Sequence, residues 1–369
     1  MGARGPSFEP SLPYDALPPL PPPAGVTESV PVLRKEADAR QALAELKGVA
    51  NIIPNQSILI NAIALREAKD SSEIENIVTT HDRVYRALAA GSSAAADPAA
   101  KEVVQYRSAL RRGESLIREH GFLSVNHITA IQAEIVGNDA GIRATPGTAL
   151  VNDRSGEVVY TPPQNPDVIR RLLSNLAEFY NGAATTLADM AVLHYQFESI
   201  HPFLDGNGRT GRILNVLYLI LKGYLDIPIL YPSSYIIDHK DEYYRFLREV
   251  TAAGEWEQWI LFMLDAIRAA SLDTIGRVHE IRLDFDGTVE QVRASLPRIY
   301  SRELIETLFV HPYSKIEFVV NALGVERKAA SRYLQSLEEI GLLESRKIGR
   351  EKIYVNVGLM NVLARDSRG

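Results

Sequence analysis

The sequence contains no cysteine among its 369 residues, so it can form no disulfide and offers no thiol nucleophile or thiolate metal ligand. This composition is typical of proteins from reducing compartments. The longest uninterrupted apolar run, near Val216 to Leu221, is far too short to span a bilayer. The N-terminus lacks the basic-then-apolar order of a signal peptide. We therefore expect a soluble cytoplasmic protein that has no membrane partner.

A large excess of one charge sign is also missing. With 40 basic and 46 acidic residues the formal net charge is -6, which argues against nucleic acid or a membrane surface as the overall partner. The charged and apolar fractions lie near globular averages, and the length suits two or three domains. We expect most of the chain to fold, and no internal repeat is evident.

Proline is concentrated at the N-terminus, where residues 1–31 include Pro18-Pro19-Leu20-Pro21-Pro22-Pro23. Because proline removes backbone donors and favours extended structure, we expect an arm lying on the folded body. We favour the interpretation of this segment as a strap on the body or an unfolded tail over a motif that docks a partner. From Glu36 to about Ala90 the pattern becomes helical, with these apolar residues near helical spacing in Asn55 to Tyr85: Ile60, Ile63, Ile74, Ile77, Val78 and Tyr85.

The middle of the chain predicts more helices and one hairpin, and so a mainly α fold. The predicted helices cover 101–118, 125–135, 168–180, 187–200, about 207–222, 235–251 and 256–283. Residues 149–151 and 158–160 flank a polar turn at 152–156, the pattern of a β-hairpin. We divide the chain into the arm (1–31), an N-terminal helical region (32–100), a central core (101–285) and a C-terminal domain (286–369).

The C-terminal segment has the pattern of a winged helix. Two predicted helices (314–322 and 327–340) flank a turn at Gly324, and two predicted strands (344–348 and 352–357) flank Gly349-Arg350. Such modules read DNA or mediate protein contacts. Eight basic and six acidic residues between Lys315 and Lys352 leave a small positive excess, which is thin for a surface that follows phosphates. A protein contact or a homodimer is therefore favoured over DNA binding.

The most informative segment is His201-Pro202-Phe203-Leu204-Asp205-Gly206-Asn207-Gly208-Arg209-Thr210-Gly211-Arg212. It places a titratable base, a carboxylate, an amide, three glycines and two guanidinium groups where a predicted helix begins. Each residue alone is common in turns or on surfaces, but a plain loop does not need the whole set. The set suits a polyphosphate bound with a divalent metal beside a proton acceptor.

Phosphate binding follows from the helix start. A helix N-terminus presents unpaired amides and a partial positive charge, and Gly206 and Gly208 let the backbone come close to an anion. Arg209 and Arg212 lie three residues apart, so both can face the same phosphates.

Two further residues supply the remaining chemistry. Asp205 suits Mg²⁺, which commonly uses one carboxylate with substrate phosphates and waters. The imidazole of His201 can accept a proton from an attacking hydroxyl near neutral pH. The segment also matches the dinucleotide fingerprint G-x-G-x-x-G at 206–211, but that fingerprint must follow a strand. Residues 187–200 are predicted to be helical, so we reject a dinucleotide-binding fold.

At these residues the chain resembles the Fic-domain family, whose signature H-P-F-x-[DE]-G-N-G-R-x-x-R is matched at every specified position. The resemblance implies a Fic-type helical bundle with a β-hairpin flap over the active site. It also implies transfer of AMP from ATP, with Mg²⁺ or Mn²⁺, to a Ser, Thr or Tyr hydroxyl of a target protein and of the chain itself. Pyrophosphate is released.

The resemblance assigns roles residue by residue. His201 is the general base and Asp205 the metal ligand. The flap aligns the target by strand addition through Val159, Tyr160 and Thr161. The residues expected to hold ATP are Gly206, Asn207, Gly208, Arg209, Thr210, Gly211 and Arg212, with Tyr243 and Tyr244 bordering the nucleoside.

The resemblance also implies autoinhibition. The family's inhibitory pattern [ST]-x-x-x-E-[GN] is matched by Ser71, Glu75 and Asn76, so Glu75 is expected to pair with Arg212. The whole layout resembles a bacterial subgroup with an N-terminal inhibitory helix and a C-terminal winged helix. Two alternatives stay open: removal of AMP from a modified protein by the same site, and a winged-helix regulator that binds DNA.

Overall fold

The computed structural model describes residues 8–80, 83–84, 97–152, 155–348 and 351–364. The fold is mainly helical, as predicted. Its helices are α1 (Val30–Val49), α2 (Gln56–Ile74), α3 (Pro98–His120), α4 (Val125–Val136), α5 (Pro166–Asn181), α6 (Leu187–Ile200), α7 (Asn207–Leu221), α8 (Ser233–Asp238), α9 (Lys240–Ala253), α10 (Trp256–Ser295), α11 (Arg302–Val310), α12 (Ile316–Leu323), α13 (Arg327–Glu339) and α14 (Val357–Ala364). The strands are β1 (Leu150–Val151), β2 (Val158–Tyr160), β3 (Tyr313–Ser314), β4 (Leu343–Ile348) and β5 (Glu351–Asn356).

The chain divides into two compact units. The first contains residues up to Leu43, Gln105–Pro228 and Pro232–Ala269, and the second contains Ala44–Val104, Ile229–Tyr231 and the residues from Ala270 onwards. Within the described ranges, no helix is both long and apolar enough to cross a membrane. The division into four segments made from the sequence stays a prediction.

The core of the first unit is a bundle of α4, α5, α6 and α7, in which α6 packs against α5 and α7. Helix α6 is apolar on nearly every side, and almost all of its residues are buried. A helix that is apolar all round belongs in the centre of a bundle. Two buried polar groups tie the neighbours together, because Trp259 Nε1 donates to Ala191 O at 2.8 Å and Tyr180 Oη donates to Leu214 O at 2.8 Å.

The predicted hairpin is formed by β1 and β2. The strands pair antiparallel, with Leu150 opposite Tyr160 and Val151 opposite Val158, and the register shifts between the two pairs. Asp153 and Arg154 of the predicted turn lie outside the described residues.

The proline-rich arm is fixed to the first unit over its described part. Tyr14 N donates to Thr161 O at 2.9 Å, directly after β2. Further along, Leu20 and Asn175 exchange two hydrogen bonds, at 2.7 and 2.9 Å. Leu17 and Leu20 are buried.

The second unit combines α2, α11, α12, α13 and α14 with a three-stranded sheet in the order β3-β5-β4. Strands β4 and β5 pair from Leu343 with Asn356 to Ile348 with Glu351. Helix α11 packs on α2 and α12, and α14 packs on α2 and β5. Gly349 and Arg350, the predicted turn between the two strands, lie outside the described residues.

Several boundaries differ from the prediction. The helix predicted to end at Leu283 continues to Ser295, and the one predicted from Tyr235 to Thr251 is two helices that meet at His239. The pattern assigned to a helix as far as Tyr85 stops at Ile74, and Tyr85 is outside the described residues. Helices α11 and α14 and the strand β3 were not predicted, and each is short.

Candidate functional site

The motif forms the loop between α6 and α7. Helix α6 ends at His201, a non-glycine residue in the left-handed region with φ of 46°. Its backbone N donates to Phe197 O at 3.0 Å, which closes the last turn of the helix. A histidine in this conformation needs support from its surroundings, since left-handed backbone costs energy in residues other than glycine.

Arg143 supplies that support, from the segment between α4 and β1. Its Nε donates to His201 O at 2.8 Å, and its backbone N donates to Pro202 O at 2.9 Å. Its Nη2 donates to Pro163 O, and also to Ile200 O at 3.4 Å. Arg143 is 2% exposed, and burial lowers the pKa of its guanidinium.

Asn207 closes the loop from the other side. Its Oδ1 accepts from Phe203 N at 2.9 Å, and its Nδ2 donates to Phe203 O at 2.8 Å. The family resemblance assigns Asn207 to the phosphates, and that role stays a prediction. In the structure both ends of its amide bind the loop backbone. Its side chain is buried and shapes the turn that leads into α7.

Helix α7 begins directly after Gly206, whose φ is 80°. Asp205 Oδ1 accepts from Gly206 N at 2.6 Å, and Gln132 Nε2 donates to Asp205 O at 2.9 Å. The hydroxyl of Thr210 donates back to Gly206 O at 2.7 Å. Thr210 is buried, and its side chain binds the backbone at the start of α7.

A second close approach occurs at Gly211. A Cβ on this residue would lie 2.6 Å from Glu198 Oε1 and 3.1 Å from Phe197 Cδ1 on α6. Glycine therefore lets the first turns of α7 lie against the end of α6, which brings the two helix ends that carry the motif together.

Both arginines of the motif are buried. Arg209 is 3% exposed and its Nη2 lies 3.1 Å from Asp205 Oδ1, while Arg212 is 1% exposed. Arg212 lies near His194, one of the residues that the sequence did not single out. Burial lowers the pKa of His194 to about 3, and the charge of Arg212 adds to the effect, so this histidine is neutral.

His194 connects the motif to the predicted nucleoside residues. Asn215 Nδ2 lies 3.2 Å from His194 Nδ1, and an amide nitrogen can only donate. His194 Nε2 and Tyr243 Oη are hydrogen-bonded at 2.9 Å. Tyr243 is buried, whereas Tyr244 is 47% exposed and its ring lies edge-on, 5.1 Å from that of Tyr243.

The flap residues differ in how they are held. Val159 is half-buried. Tyr160 is buried and its hydroxyl donates to Ser199 O at 2.7 Å, so the end of β2 is bound to the last turn of α6. Thr161 Oγ1 donates to Pro10 O of the arm at 2.7 Å.

The donor set at Asp205 fits a divalent cation. Its side chain is 74% exposed, and among the described residues both hydrogen-bond donors to the carboxylate reach Oδ1. Oδ2 therefore faces solvent, and a hard carboxylate oxygen is a ligand that Mg²⁺ and Mn²⁺ prefer. No group of three or more His, Cys, Asp or Glu side chains that could hold a metal occurs in the described part of the chain. One carboxylate would thus have to share the ion with phosphates and water.

The residues of the inhibitory pattern lie in the second unit. Ser71 is buried on α2, Glu75 is the C-terminal cap of that helix, and Asn76 follows with φ of 62°. The other predicted site residues all lie in the first unit. Arg143 and His194 were missed because neither belongs to a recognisable motif.

Three family models match the chain in sequence order. They are described as Fic/DOC family N-terminal (residues 33–115), Fic/DOC family (122–219) and Protein adenylyltransferase SoFic-like, C-terminal domain (285–359). Together they cover well over half of the chain.

Curated relatives match over shorter stretches. Protein adenylyltransferase fic-1 of Caenorhabditis elegans is 26% identical over 181 residues, which are 47% of this chain and 34% of the relative. Protein adenylyltransferase Fic of Drosophila yakuba is 31% identical over 107 residues, 28% of this chain and 20% of the relative. The chain spans about a third or less of the length of these relatives.

Solved structures share the fold. A Fic family protein from Desulfovibrio desulfuricans G20 matches with a TM-score of 0.57 and 18% identity, covering 92% of this chain and 99% of that one. Fic-1 of C. elegans matches with a TM-score of 0.52 and 20% identity, covering 68% of this chain and 74% of that one. The predicted Fic-type helical fold is therefore confirmed.

Proposed function

The chain belongs to the Fic/DOC family, and we propose that its motif site transfers AMP from ATP to a hydroxyl group of a protein. The observation that carries the proposal is the loop from His201 to Arg212, which gathers a base, an exposed carboxylate, a helix N-terminus and two buried arginines. The names of the curated relatives, protein adenylyltransferases, support the same reaction.

The reaction is a displacement at the α-phosphorus. The oxygen of a Ser, Thr or Tyr hydroxyl forms a bond to that phosphorus, and the bond to the bridging oxygen of the β-phosphate breaks. Pyrophosphate leaves with the electron pair of that bond. The proton of the hydroxyl passes to the imidazole of His201, which acts as general base. Most of the catalysis then comes from positioning and charge neutralisation.

The start of α7 would bind the phosphates. Its first amides point out of the helix and carry a partial positive charge, and the left-handed Gly206 lets the backbone approach the anion. Arg209 and Arg212 would add charge from within the protein, where it is less screened than in water. Asn207 would contribute by holding the turn, since its amide binds the backbone of Phe203.

Asp205 would hold the divalent ion through Oδ2. When bound there, Mg²⁺ or Mn²⁺ would neutralise part of the charge on the phosphates. The flap would align the target segment along β2 by backbone pairing. The end of β2 is fixed to α6 by the hydrogen bond of Tyr160 to Ser199.

Labelled ATP tests the proposed reaction. The purified chain is incubated with Mg²⁺ and ATP that carries ³²P at either the α- or the γ-phosphorus, and its own labelling is followed. We expect label on the protein from the α-phosphorus only, with release of pyrophosphate. Label that comes from the γ-phosphorus would indicate a kinase and contradict the proposal.

We further propose that the site is held mostly inactive by Glu75. Pairing of this carboxylate with Arg212 would engage the arginine that has to hold the outer phosphates. ATP would then bind with its α-phosphorus out of line with the incoming hydroxyl.

Glu75→Gly should therefore raise the incorporation of AMP, because it removes the carboxylate and releases Arg212. The measurement is the initial rate of labelling from α-³²P ATP at equal protein concentration.

Glu73→Gly is the matched control, since it makes the same change two residues earlier, within α2, where the carboxylate pairs with Lys69 at 3.1 Å. It should cost about 1 kcal/mol of helix stability and leave the rate unchanged. Equal or lower labelling by the Glu75 variant would contradict autoinhibition, while the roles proposed for His201 and the phosphate site would stand.

A further inference from the structure

We propose that Arg143 is a positioning residue for AMP transfer. It fixes the general base His201 relative to Pro163, which follows the second strand of the flap. The proposal rests on the proposed function. Arg143 lies outside the motif, 58 residues before His201 in the sequence.

The contacts of Arg143 point in two directions. Nε binds the carbonyl of His201, and the backbone N binds that of Pro202, so one set of contacts holds the strained end of α6. Nη2 binds Pro163 O, three residues after β2 ends. A planar guanidinium carries five donors in a fixed arrangement, so one side chain can reach carbonyl groups on both sides at once.

The energetics do not favour a role in stability alone. Arg143 is 2% exposed, yet no carboxylate of the described residues lies within salt-bridge distance of it. Its Nη1 is buried and has no hydrogen-bond partner among those residues. The charged or titratable groups that act on it are Tyr160 and Asp15. A buried cation without a carboxylate partner costs stability, whereas the hydrogen bonds of Arg143 to backbone carbonyls act on the geometry of the site.

That geometry matters because two parts of the site have to meet. The flap presents the hydroxyl of the target, and His201 has to accept its proton. A second link between the same parts is the bond of Tyr160 Oη to Ser199 O at 2.7 Å. With the flap and the helix end joined by both residues, the distance between base and hydroxyl is set by the fold. A displacement of about 1 Å can cost 10²-fold in rate.

The test uses Arg143→Gln and Arg143→Lys in the full chain. The readout is self-labelling from α-³²P ATP at varied ATP concentration, which separates kcat from the KM for ATP, together with the melting temperature. Arg143 does not touch the start of α7, so we expect kcat to fall about 10- to 100-fold while the KM for ATP stays within about twofold. Lysine keeps the positive charge but not the planar arrangement of donors. We therefore expect the kcat of the lysine variant to fall nearly as much as that of the glutamine variant.

Arg277→Gln is the matched control. Arg277 is also buried, and it binds Asp273 and the carbonyl of Val362 in the second unit. It should lower the melting temperature without lowering kcat. The proposal is overturned if the Arg143 variants keep the parental kcat, or if Arg277→Gln lowers kcat as much as they do.

Hydrogen exchange tests the positioning role of Arg143 separately from the proposed transfer of AMP. If the parental chain and Glu75→Gly both transfer no AMP, the proposed function has failed. Arg143→Lys should still exchange amide hydrogens faster than the parental protein in both 158–163 and 199–203. The same measurement replaces the kinetics if the glutamine variant does not fold. Unchanged exchange in either segment would overturn the positioning role.

Discussion

Gly206 determines how closely the backbone at the start of α7 can approach a ligand. Its φ of 80° lies in the left-handed region, and a Cβ there would lie 3.0 Å from Val136 Cγ1 and 3.4 Å from Ile135 Cγ2 on α4. Any side chain would strain the backbone, and its Cβ would crowd Val136, whose side chain would have to give way. Because the first amides of α7 follow directly, their direction depends on this one residue.

Gly206→Ala should therefore reduce both stability and ATP binding. The left-handed backbone alone costs about 1–2 kcal/mol, and the contact with α4 adds to it. Urea unfolding gives the stability, and calorimetry gives the dissociation constant for ATP.

Gly254→Ala is the matched control, with φ of 71° and no atom within 4 Å of its Cβ. It should lose the strain energy only and bind ATP as the parental protein does. Parental ATP affinity in the Gly206 variant would mean that the start of α7 does not hold the phosphates.

The sequence suggests candidate site residues more readily than it shows how each one is held. The roles of His201 and Asp205 follow from residue type and spacing, and they stay predictions. The hydrogen bonds of Asn207 could not be predicted, because they depend on how the loop closes over Phe203. The contacts of Arg143 and His194 join distant parts of the chain, which residue spacing does not encode.

At the scale of elements, α2 shows how a local conformation ends a periodic pattern. The apolar residues continue past Ile74, but Glu75 has φ of -86° and ψ of 18°, and Asn76 is left-handed. Val78, predicted to lie on the apolar face, is 66% exposed. Periodicity reports which face could be buried, and it does not report where the backbone leaves the helix.

The same helix carries a buried carboxylate, Asp70. Arg66 Nε lies 3.6 Å from Asp70 Oδ2, and Lys69 Nζ lies 3.6 Å from Oδ1. The carboxylate of Glu73, about one helical turn further along α2, adds negative charge near Asp70. Burial outweighs the two cations and raises the pKa of Asp70 from 3.8 to about 6. The ionised form that is present at neutral pH is therefore disfavoured in the folded protein.

Asp70→Asn should stabilise the protein more at pH 7 than at pH 5. Because the folded pKa is raised, the stability due to this group is fully present below the unfolded pKa and is lost as the pH rises through about 6. The loss at pH 7 is on the order of 3 kcal/mol, about 1 kcal/mol more than at pH 5. Urea unfolding of both proteins at the two pH values measures the difference. A difference between the proteins that does not change with pH would contradict the pKa shift.

At the scale of the whole molecule, a mainly helical chain with small hairpins was predicted correctly. The sequence predicted two strands after the second C-terminal helix, and the structure adds β3 as a third strand, which pairs with β5. A strand of two residues has no alternation that a sequence pattern could show. Its place in the sheet depends on tertiary pairing.

The charges of the C-terminal segment bear on its partner. Arg327, Lys328 and Arg332 are exposed on α13. Two other basic residues are paired with acids, since Lys352 lies 2.9 Å from Glu338 and Arg346 lies 3.3 Å from Glu344. Among the described residues, this pairing reduces the positive charge that the segment offers to a phosphate backbone. The preference for a protein contact over DNA stays a prediction.

The mass of the intact chain after incubation with ATP and Mg²⁺ tests the central claim most directly, when the parental protein is compared with His201→Ala. We predict that the parental chain gains the mass of AMP. The variant should melt at the parental temperature, bind ATP, and gain AMP about 10²–10⁴-fold more slowly, because only the general base is lost. Modification of the alanine variant at the parental rate would contradict the account.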